Sequence, residues 1–507
     1  MKRLIVEPNR YFDSIFLMRI GSELEDLEGI DRAVVAMGTP ANLKNLESVG
    51  FSTDEAALPI RPTDLVIAVD GISGGAIDAA KNRLEAILVG SAGPDPATAS
   101  RPTSIRAAIA LDPDANLALI SVPGEYAARE ARRALGVGLH VMLFSDHVTI
   151  DDEISLKDEA IERGLLLMGP DCGTAILNGR PLGFANACRL GKIGIVGASG
   201  TGIQEISSII HRLGGGISQA IGTGGRDLSS EVGGRMTRFG IEALARDPGT
   251  DVIVVVSKAP APRVADAVLE TLSTTGKPSV VHFVAGEARA SSEDVSFAST
   301  LADAGRLACA AAGIDLPPSK MGEEVARDAA VEGRVVGLFC GGTLCQEAWS
   351  LMTRAGLDVT SNAAGDLATE AGPNAQVEGH ALWDLGDDAF TLGKPHPMIE
   401  PSLRDEYVAA SGGDPSIGIV LVDCVIGYGA HGDPAASLAD AARRAICAAG
   451  GAGRELAIVA SVTGTELDPQ NAERQCEALM AAGVIVAESN ADAVRTAIRL
   501  VSEGGAA

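Results

Sequence analysis

The sequence predicts an α/β protein of several domains built on parallel sheets. Three observations carry this. Short apolar runs of strand length alternate with helical stretches along the chain. Hydrophobic residues make up 46% of the 507 positions and aromatics only 3%, so Ala, Val, Ile, Leu and 60 glycines must fill the cores, as they do in strand–helix units. A glycine-rich strand-to-helix turn also occurs twice. Lys192-Ile-Gly-Ile-Val-Gly-Ala-Ser199-Gly200-Thr201-Gly-Ile-Gln204-Glu205 is echoed by Arg334-Val-Val-Gly-Leu-Phe-Cys340-Gly341-Gly342-Thr343-Leu-Cys-Gln346-Glu347.

In chain order, residues 1–95 read as a small α/β (βαβ-like) unit. Its expected strands are Leu4–Val6, Arg32–Met37 and Leu65–Val69, and its helices Ile15–Leu27, Asn42–Val49 and Gly75–Leu88. Ser91–Pro102 is rich in Pro, Gly and Ser and reads as a linker. A second domain, 96–190, has strands at Leu117–Val122, Val141–Phe144 and Leu165–Met168, the last running into Gly169-Pro170-Asp171-Cys172-Gly173-Thr174. A third, 191–330, opens on the first Gly-Thr turn and adds strands at Val252–Val256 and Ser279–Val284. A fourth, 331–507, opens on the second turn, with strands at Gly418–Val422 and Ala457–Ala460 and a final helix at Asp492–Val501.

Each Gly-Thr turn aims backbone N–H groups and the positive end of a helix dipole at one place, a natural anion site. Ligands of parallel sheets sit beyond the carboxyl ends of strands, where both turns lie. Two such turns suggest half-sites facing one phosphate or carboxylate across Ser199, Gly200, Thr201, Gly341, Gly342 and Thr343. A duplicated structural unit would give the same repeat. Lys258, at the end of a strand, can reach a phosphate as a point charge. Arg226, in the turn Gly222–Asp227, can bind an anion bidentately. His396, in the proline-bracketed loop Asp384–Met398 beside Lys394, and His431, after the strand at Gly418–Val422, are candidate substrate contacts. His140, His211 and His380 read as structural or exposed. No metal-ligand spacing and no C-x-x-C occur, and most of the eight cysteines read as small buried hydrophobes.

The formal net charge of −26 argues against nucleic acid or anionic membrane as a partner. No signal peptide and no run of ~18 apolar residues appears, so a cytoplasmic location is expected.

The chain resembles the NDP-forming acyl-CoA synthetase superfamily, which includes succinyl-CoA synthetase. The resemblance runs through Ile120–Pro123, Met168-Gly-Pro170-Asp171-Cys172, Gly194–Thr201, Ile221–Gly225 and Lys277–Gly286, and resumes at Phe339–Gly342. It implies a CoA-binding-like Rossmann domain at 96–190, a synthetase α-like flavodoxin-like domain at 191–330 and a synthetase β-like one at 331–507. It adds Asp171 and Cys172 to the candidate phosphate contacts, and implies that the two helix N-termini converge. Within the superfamily the chain resembles the FdrA branch, through Arg10–Ser14, Met37–Asn42, Leu392–Met398 and Gly427–His431.

Two departures shape the expected chemistry. The phosphohistidine segment of the synthetases corresponds to about Ser296–Ser299, which holds no histidine, and the partner glutamate falls near Lys258. The glycine-rich loop that holds coenzyme A in the synthetases is missing from the N-terminal unit, which sets coenzyme A in doubt, and no other cofactor is implied. The FdrA resemblance then implies acyl-phosphate chemistry as a subunit of an oxamate carbamoyltransferase in allantoin (ureide) catabolism, with companion subunits and an oligomeric assembly. The alternatives are a succinyl-CoA synthetase-like CoA ligase and a non-catalytic acyl-phosphate-binding subunit.

Overall fold

The computed structural model describes residues 1–8, 10, 12, 14–25, 27–52, 60–90, 102–287, 289–316, 331–364, 372, 373, 377, 379–391 and 395–502. The linker at 91–101, Lys394, and Tyr11 and Asp13 of the FdrA-like segment lie outside the described residues. The chain divides into two compact units, Met1–Pro102 with Asp388–Glu400, and Thr103–Asp387 with Pro401–Ala507.

The first unit contains β1 (Lys2–Glu7), α1 (Ser14–Glu25), β2 (Ile30–Met37), α2 (Pro40–Ser48), β3 (Leu65–Gly71) and α3 (Gly74–Gly90). Its sheet order is β1-β3-β2, with β3 antiparallel to both neighbours. The expected small α/β unit is present, with β3 antiparallel between its neighbours. Apolar alternation specifies a strand but not its direction, and β3 inserts between two parallel strands to make a split βαβ. Central β3 is buried from Leu65 to Val69 and packs with Leu17, Ile20, Leu24, Ile77 and Leu84.

The larger unit begins with α4 (Ile105–Leu111), β4 (Leu117–Ile120), α5 (Gly124–Leu135), β5 (His140–Leu143), α6 (Ile150–Glu162) and β6 (Leu167–Met168), whose three strands form one parallel sheet. Next come β7 (Thr174–Leu177), β8 (Arg180–Gly183), β9 (Leu190–Gly197), α7 (Gly200–Arg212), β10 (Ile217–Gly222), α8 (Arg235–Arg246), β11 (Val252–Lys258), α9 (Pro262–Ser273), β12 (Ser279–Val284), β13 (Val295–Phe297) and α10 (Leu301–Ala311). The sheet order is β13-β12-β11-β9-β10-β7-β8, parallel from β13 to β10 and closed by the antiparallel β7–β8 hairpin. Val252–Val256 is fully buried, as a strand covered on both faces by helices requires.

The remaining elements are β14 (Arg334–Phe339), α11 (Gly342–Arg354), β15 (Val359–Ser361), β16 (His380–Asp384), α12 (Asp388–Thr391, in the first unit), α13 (Ser402–Ser411), β17 (Ile417–Val425), α14 (Pro434–Gly451), β18 (Ala457–Thr463), α15 (Ala472–Ala481), β19 (Ile485–Ala487) and α16 (Asn490–Ser502). Their parallel sheet runs β15-β16-β14-β17-β18-β19. In each large sheet the chain direction of travel reverses beside the strand that carries a Gly-Thr turn, between β9 and β11 and between β14 and β17. Crevices for ligands form at such switch points. Among the described residues no helix is long and apolar enough to cross a membrane.

Candidate functional site: two reciprocal helix N-termini

The two turns meet. Ser199, extended at φ −153°, is the N-cap of α7, and its Oγ accepts from the Gly202 N–H at 3.1 Å. Gly202 is required, because a Cβ there would lie 2.5 Å from that same Oγ. Gly341 occupies the equivalent position before α11. The Ser199 and Thr343 hydroxyls are 2.6 Å apart, both buried. In return, a Cβ on Gly341 would stand 3.0 Å from Thr201 Cγ2. The N-cap of each turn therefore meets the threonine of the other, in pseudo-two-fold fashion. The amides of Gly200, Thr201, Gly342 and Thr343 lie in the first helical turns, where no intrahelical acceptor exists for them.

The turns differ in what holds them. Gly341 has no side chain to cap its helix, and Asp423 of β17 substitutes: its two carboxylate oxygens accept from the Cys340 and Gly341 N–H groups at 2.7 Å each. The second switch point is thus filled by an internal carboxylate. Burial pushes the Asp423 carboxyl up, opposed by the Cys340 N–H and by Arg404, which donates to the Asp423 carbonyl at 3.1 Å. Asp384, at the end of β16, lies against Gly342 and accepts from the Gly386 N–H at 2.9 Å. Burial raises its carboxyl to about 7, with the charge of Lys258 pulling the other way. Lys258 ends β11 at the first switch point and is exposed. Its charge acts on Asp384, a carboxylate of the second half.

The repeated Gln-Glu steps have a separate task. Glu205 accepts from Thr463 Oγ1 at 2.6 Å and from the Asn490 N–H at 3.1 Å, at the start of α16. Glu347 accepts from the Leu301 N–H at 2.7 Å, at the start of α10, and from Asn490 Nδ2 at 2.8 Å. Each glutamate caps a helix belonging to the other half. Burial raises the Glu347 carboxyl to about 7, despite those two donors. The repeat in sequence was the signal for this knot. Asn490, Asp384 and Asp423, which sheet order brings in from distant segments, left no such signal.

The other expected residues fall elsewhere. Arg226 pairs with buried Glu153 at 2.8 Å and donates to the Val148 carbonyl at 2.7 Å. It borders a buried cluster in which Lys157 donates to Glu153 and Asp227, each at 2.7 Å. Asp171 is exposed, at φ 54°, beside Gly225. Burial pushes the Cys172 thiol up to about 12, and the sulfur packs where a Cβ on Gly222 would lie. Between them and the turns runs Thr174, whose Oγ1 lies 3.1 Å from a Cβ built on Gly200. His431 accepts from the Asp433 N–H through Nδ1. His396 belongs to the other compact unit and is half-buried, and desolvation lowers its imidazole to about 4. His140, His211 and His380 each use Nδ1 to accept a backbone N–H. Cys340 and Cys345 are buried thiols pushed well up by desolvation, unsuited as nucleophiles.

The CoA-ligase family pattern matches residues 338–500, the CoA binding domain pattern 189–285, and the pattern called AllF, heavy metal-associated domain, 1–102. Residues 1–102 contain no cysteine and no histidine, so no thiolate or imidazole is available there and the soft donors are the thioethers of Met1, Met18 and Met37. The glycine turn inside the CoA-binding range is the one facing Gly341 and Thr343. The chain is 41% identical over 512 residues to "Uncharacterized protein YahF" of Escherichia coli K12, covering 99% of each. It is 36% identical over 183 residues to the mitochondrial succinate–CoA ligase (ADP-forming) subunit alpha-2 of Trichomonas vaginalis, covering 34% of this chain and 57% of that one. With the alpha subunit of the Aquifex aeolicus enzyme the identity is 32% over 150 residues, covering 28% and 48%. The chain thus spans about half the length of these ligase subunits. A dinucleotide forming acetyl-coenzyme A synthetase 1 from Ca. Korarchaeum cryptofilum matches 77% of this chain and 86% of its own at 15% identity and a TM-score of 0.32, a likeness that carries no argument about the site. On its end-to-end relative and its ligase patterns, the chain belongs to the FdrA family, a branch of the NDP-forming acyl-CoA synthetase superfamily.

Proposed function

We propose that this chain performs acyl-phosphate chemistry as a subunit of an oxamate carbamoyltransferase, converting oxalurate and phosphate to oxamate and carbamoyl phosphate in allantoin (ureide) catabolism with companion subunits. The observation that carries the reading is the reciprocal contact of the two turns, with Ser199 and Thr343 2.6 Å apart and Lys258 acting on Asp384 beside them. A phosphate oxygen attacks the carbamoyl carbon, the bond from that carbon to the oxamate nitrogen breaks, and the nitrogen takes up a proton. In this reading the Ser199–Thr343 contact, closed at 2.6 Å here, parts to admit phosphate, and the helix N-terminal amides then serve the phosphate and the developing oxyanion. Lys258 adds a cation. Asp384 retains its proton to about pH 7 and is suited to hand it to the leaving nitrogen. His431, in the same compact unit as the turns, is assigned to orienting the carboxylate-bearing substrate. The chemistry needs no covalent histidine, in keeping with Phe297 in the segment that corresponds to the phosphohistidine loop. The AllF match at 1–102 is in keeping with the pathway.

The test is to incubate the chain, alone and with its companion subunits, with oxamate and carbamoyl phosphate, and to measure oxalurate and phosphate. No product from the complete complex would sink the reading. The second reading, a nucleotide-dependent acid–CoA ligase, is favoured by the CoA-ligase and CoA-binding patterns. It requires thioester formation and a phosphorylated protein, and the carbamoyltransferase reading requires neither.

A further inference from the structure

A cavity of about 250 Å³ opens at the carboxyl ends of β12 and β13, away from the Gly-Thr turns and along the later turns of α11. Its polar wall includes His282, Ser299, Ser350, the cations Arg289 and Arg354 and the carboxyls Glu287 and Glu347, over an apolar floor of Phe283 and Phe297. The volume equals roughly eight water volumes and falls below the ~300–1,000 Å³ of pockets for drug-sized ligands, so a small molecule is the matching occupant.

Two features define its chemistry. His282 is 4% exposed, and its Nδ1 lies 3.0 Å from the Ala298 carbonyl oxygen. A carbonyl only accepts, so Nδ1 carries the proton and donates. Burial disfavours the imidazolium, and the nearby Arg354 charge adds to this. The neutral ring then leaves Nε2 as a lone-pair acceptor, and that buried atom has no partner among the described residues. An unpaired buried acceptor is costly, and a ligand that donates to it relieves the cost. Arg354 is exposed and donates to the Gly286 carbonyl at 3.2 Å, with no carboxylate against it among the described residues, whereas Arg289 is paired to Asp266 at 3.0 Å.

We infer that this cavity is a binding site for a small carboxylic acid that also carries an N–H or O–H donor, its carboxylate on Arg354 and its donor on His282. Arg354 ends α11, eleven residues beyond Thr343, or about 16 Å along a helix that rises 1.5 Å per residue. Arg354 thus stands apart from the Ser199–Thr343 contact, while Glu347 borders both the cavity and the turns; the inference does not depend on the reaction proposed above.

The probe pair is oxamate and pyruvate, carboxylates of the same shape that differ in a terminal amide against a methyl group. Titration calorimetry on the full chain is expected to show oxamate binding at millimolar concentrations and pyruvate about tenfold or more weaker. Arg354→Gln, on an exposed side chain, is expected to weaken oxamate by a similar factor. A Ser199→Ala, Thr343→Val variant is expected to retain oxamate binding at this site. In ¹⁵N-histidine-labelled chain, oxamate and not pyruvate moves the His282 Nε2 resonance. Oxamate binding that Arg354→Gln leaves unchanged overturns the inference. So does equal affinity for pyruvate, or a His282 resonance that oxamate does not move.

Discussion

Alanine at Gly342 and at Gly200, the equivalent first positions of α11 and α7, should have unequal consequences. Neither glycine has a positive φ, so the difference is one of space. A Cβ on Gly200 meets Thr174 Oγ1 at 3.1 Å, a contact that a few tenths of an ångström relieves. A Cβ on Gly342 falls against Asp384 Oδ2, well inside the 3.0 Å that real Cβ atoms keep. The carboxylate must retreat by about 1 Å to reach ordinary van der Waals contact. Asp384 is fixed by its bond from Gly386 and by Asn362, which grips its backbone N–H at 2.7 Å and carbonyl at 2.9 Å. Overpacking of this kind costs about 1–3 kcal/mol, and at either site alanine recovers up to ~1 kcal/mol of helix propensity. Gly200→Ala should therefore stay within about 1 kcal/mol of the parent, while Gly342→Ala loses roughly 1–3 kcal/mol. Turnover should fall about 100-fold in Gly342→Ala, since a donor displaced by ~1 Å costs that much. Urea unfolding followed through the buried Trp383, the neighbour of Asp384, reads the stability. Equal midpoints for the two variants would refute the packing argument.

Three further outcomes follow. Asp384 and Glu347 keep folded-state protons up to about pH 7, against ordinary values of 3.8 and 4.5. The unfolded chain releases those protons first, so stability declines as pH rises from about 4 to about 7 and then levels. Each ionisation costs on the order of 3–4 kcal/mol, and Glu347→Gln should flatten the decline measured by urea midpoints across that window. Asn490→Ala removes the donor shared by Glu347 and the Leu344 carbonyl, and should lower stability by about 1–3 kcal/mol in the same assay while leaving far-ultraviolet dichroism unchanged. Cys447 is exposed whereas Cys172, Cys309, Cys340, Cys345 and Cys424 are buried, so a disulfide reagent should titrate Cys447 fast in the folded chain and the buried five only on unfolding.

Much of the fold was legible in the sequence, because Val252–Val256 and Ser279–Val284 are continuous apolar runs and glycine turns punctuate them. The antiparallel insertion of β3 was not, since alternation carries no strand direction. The meeting of Ser199 with Thr343 was foreshadowed by the repeat. The same repeat marked Glu205 and Glu347, which serve as reciprocal helix caps. Asp423 and Asp384 were illegible: nothing near either in sequence indicates that β17 and β16 flank β14. His396 was read from its loop chemistry, but the loop folds with the N-terminal unit. Arg226, expected to bind an anion bidentately, meets the carboxylate of Glu153, which no sequence spacing indicates.

The most direct measurement is product analysis by mass spectrometry of the chain with its companion subunits, given oxamate and carbamoyl phosphate. The account predicts oxalurate and phosphate in equal amounts, without nucleotide, coenzyme A or labelled protein, and loss of product in Asp384→Asn. Absence of oxalurate, together with nucleotide-dependent thioester formation through a phosphorylated chain, would contradict it.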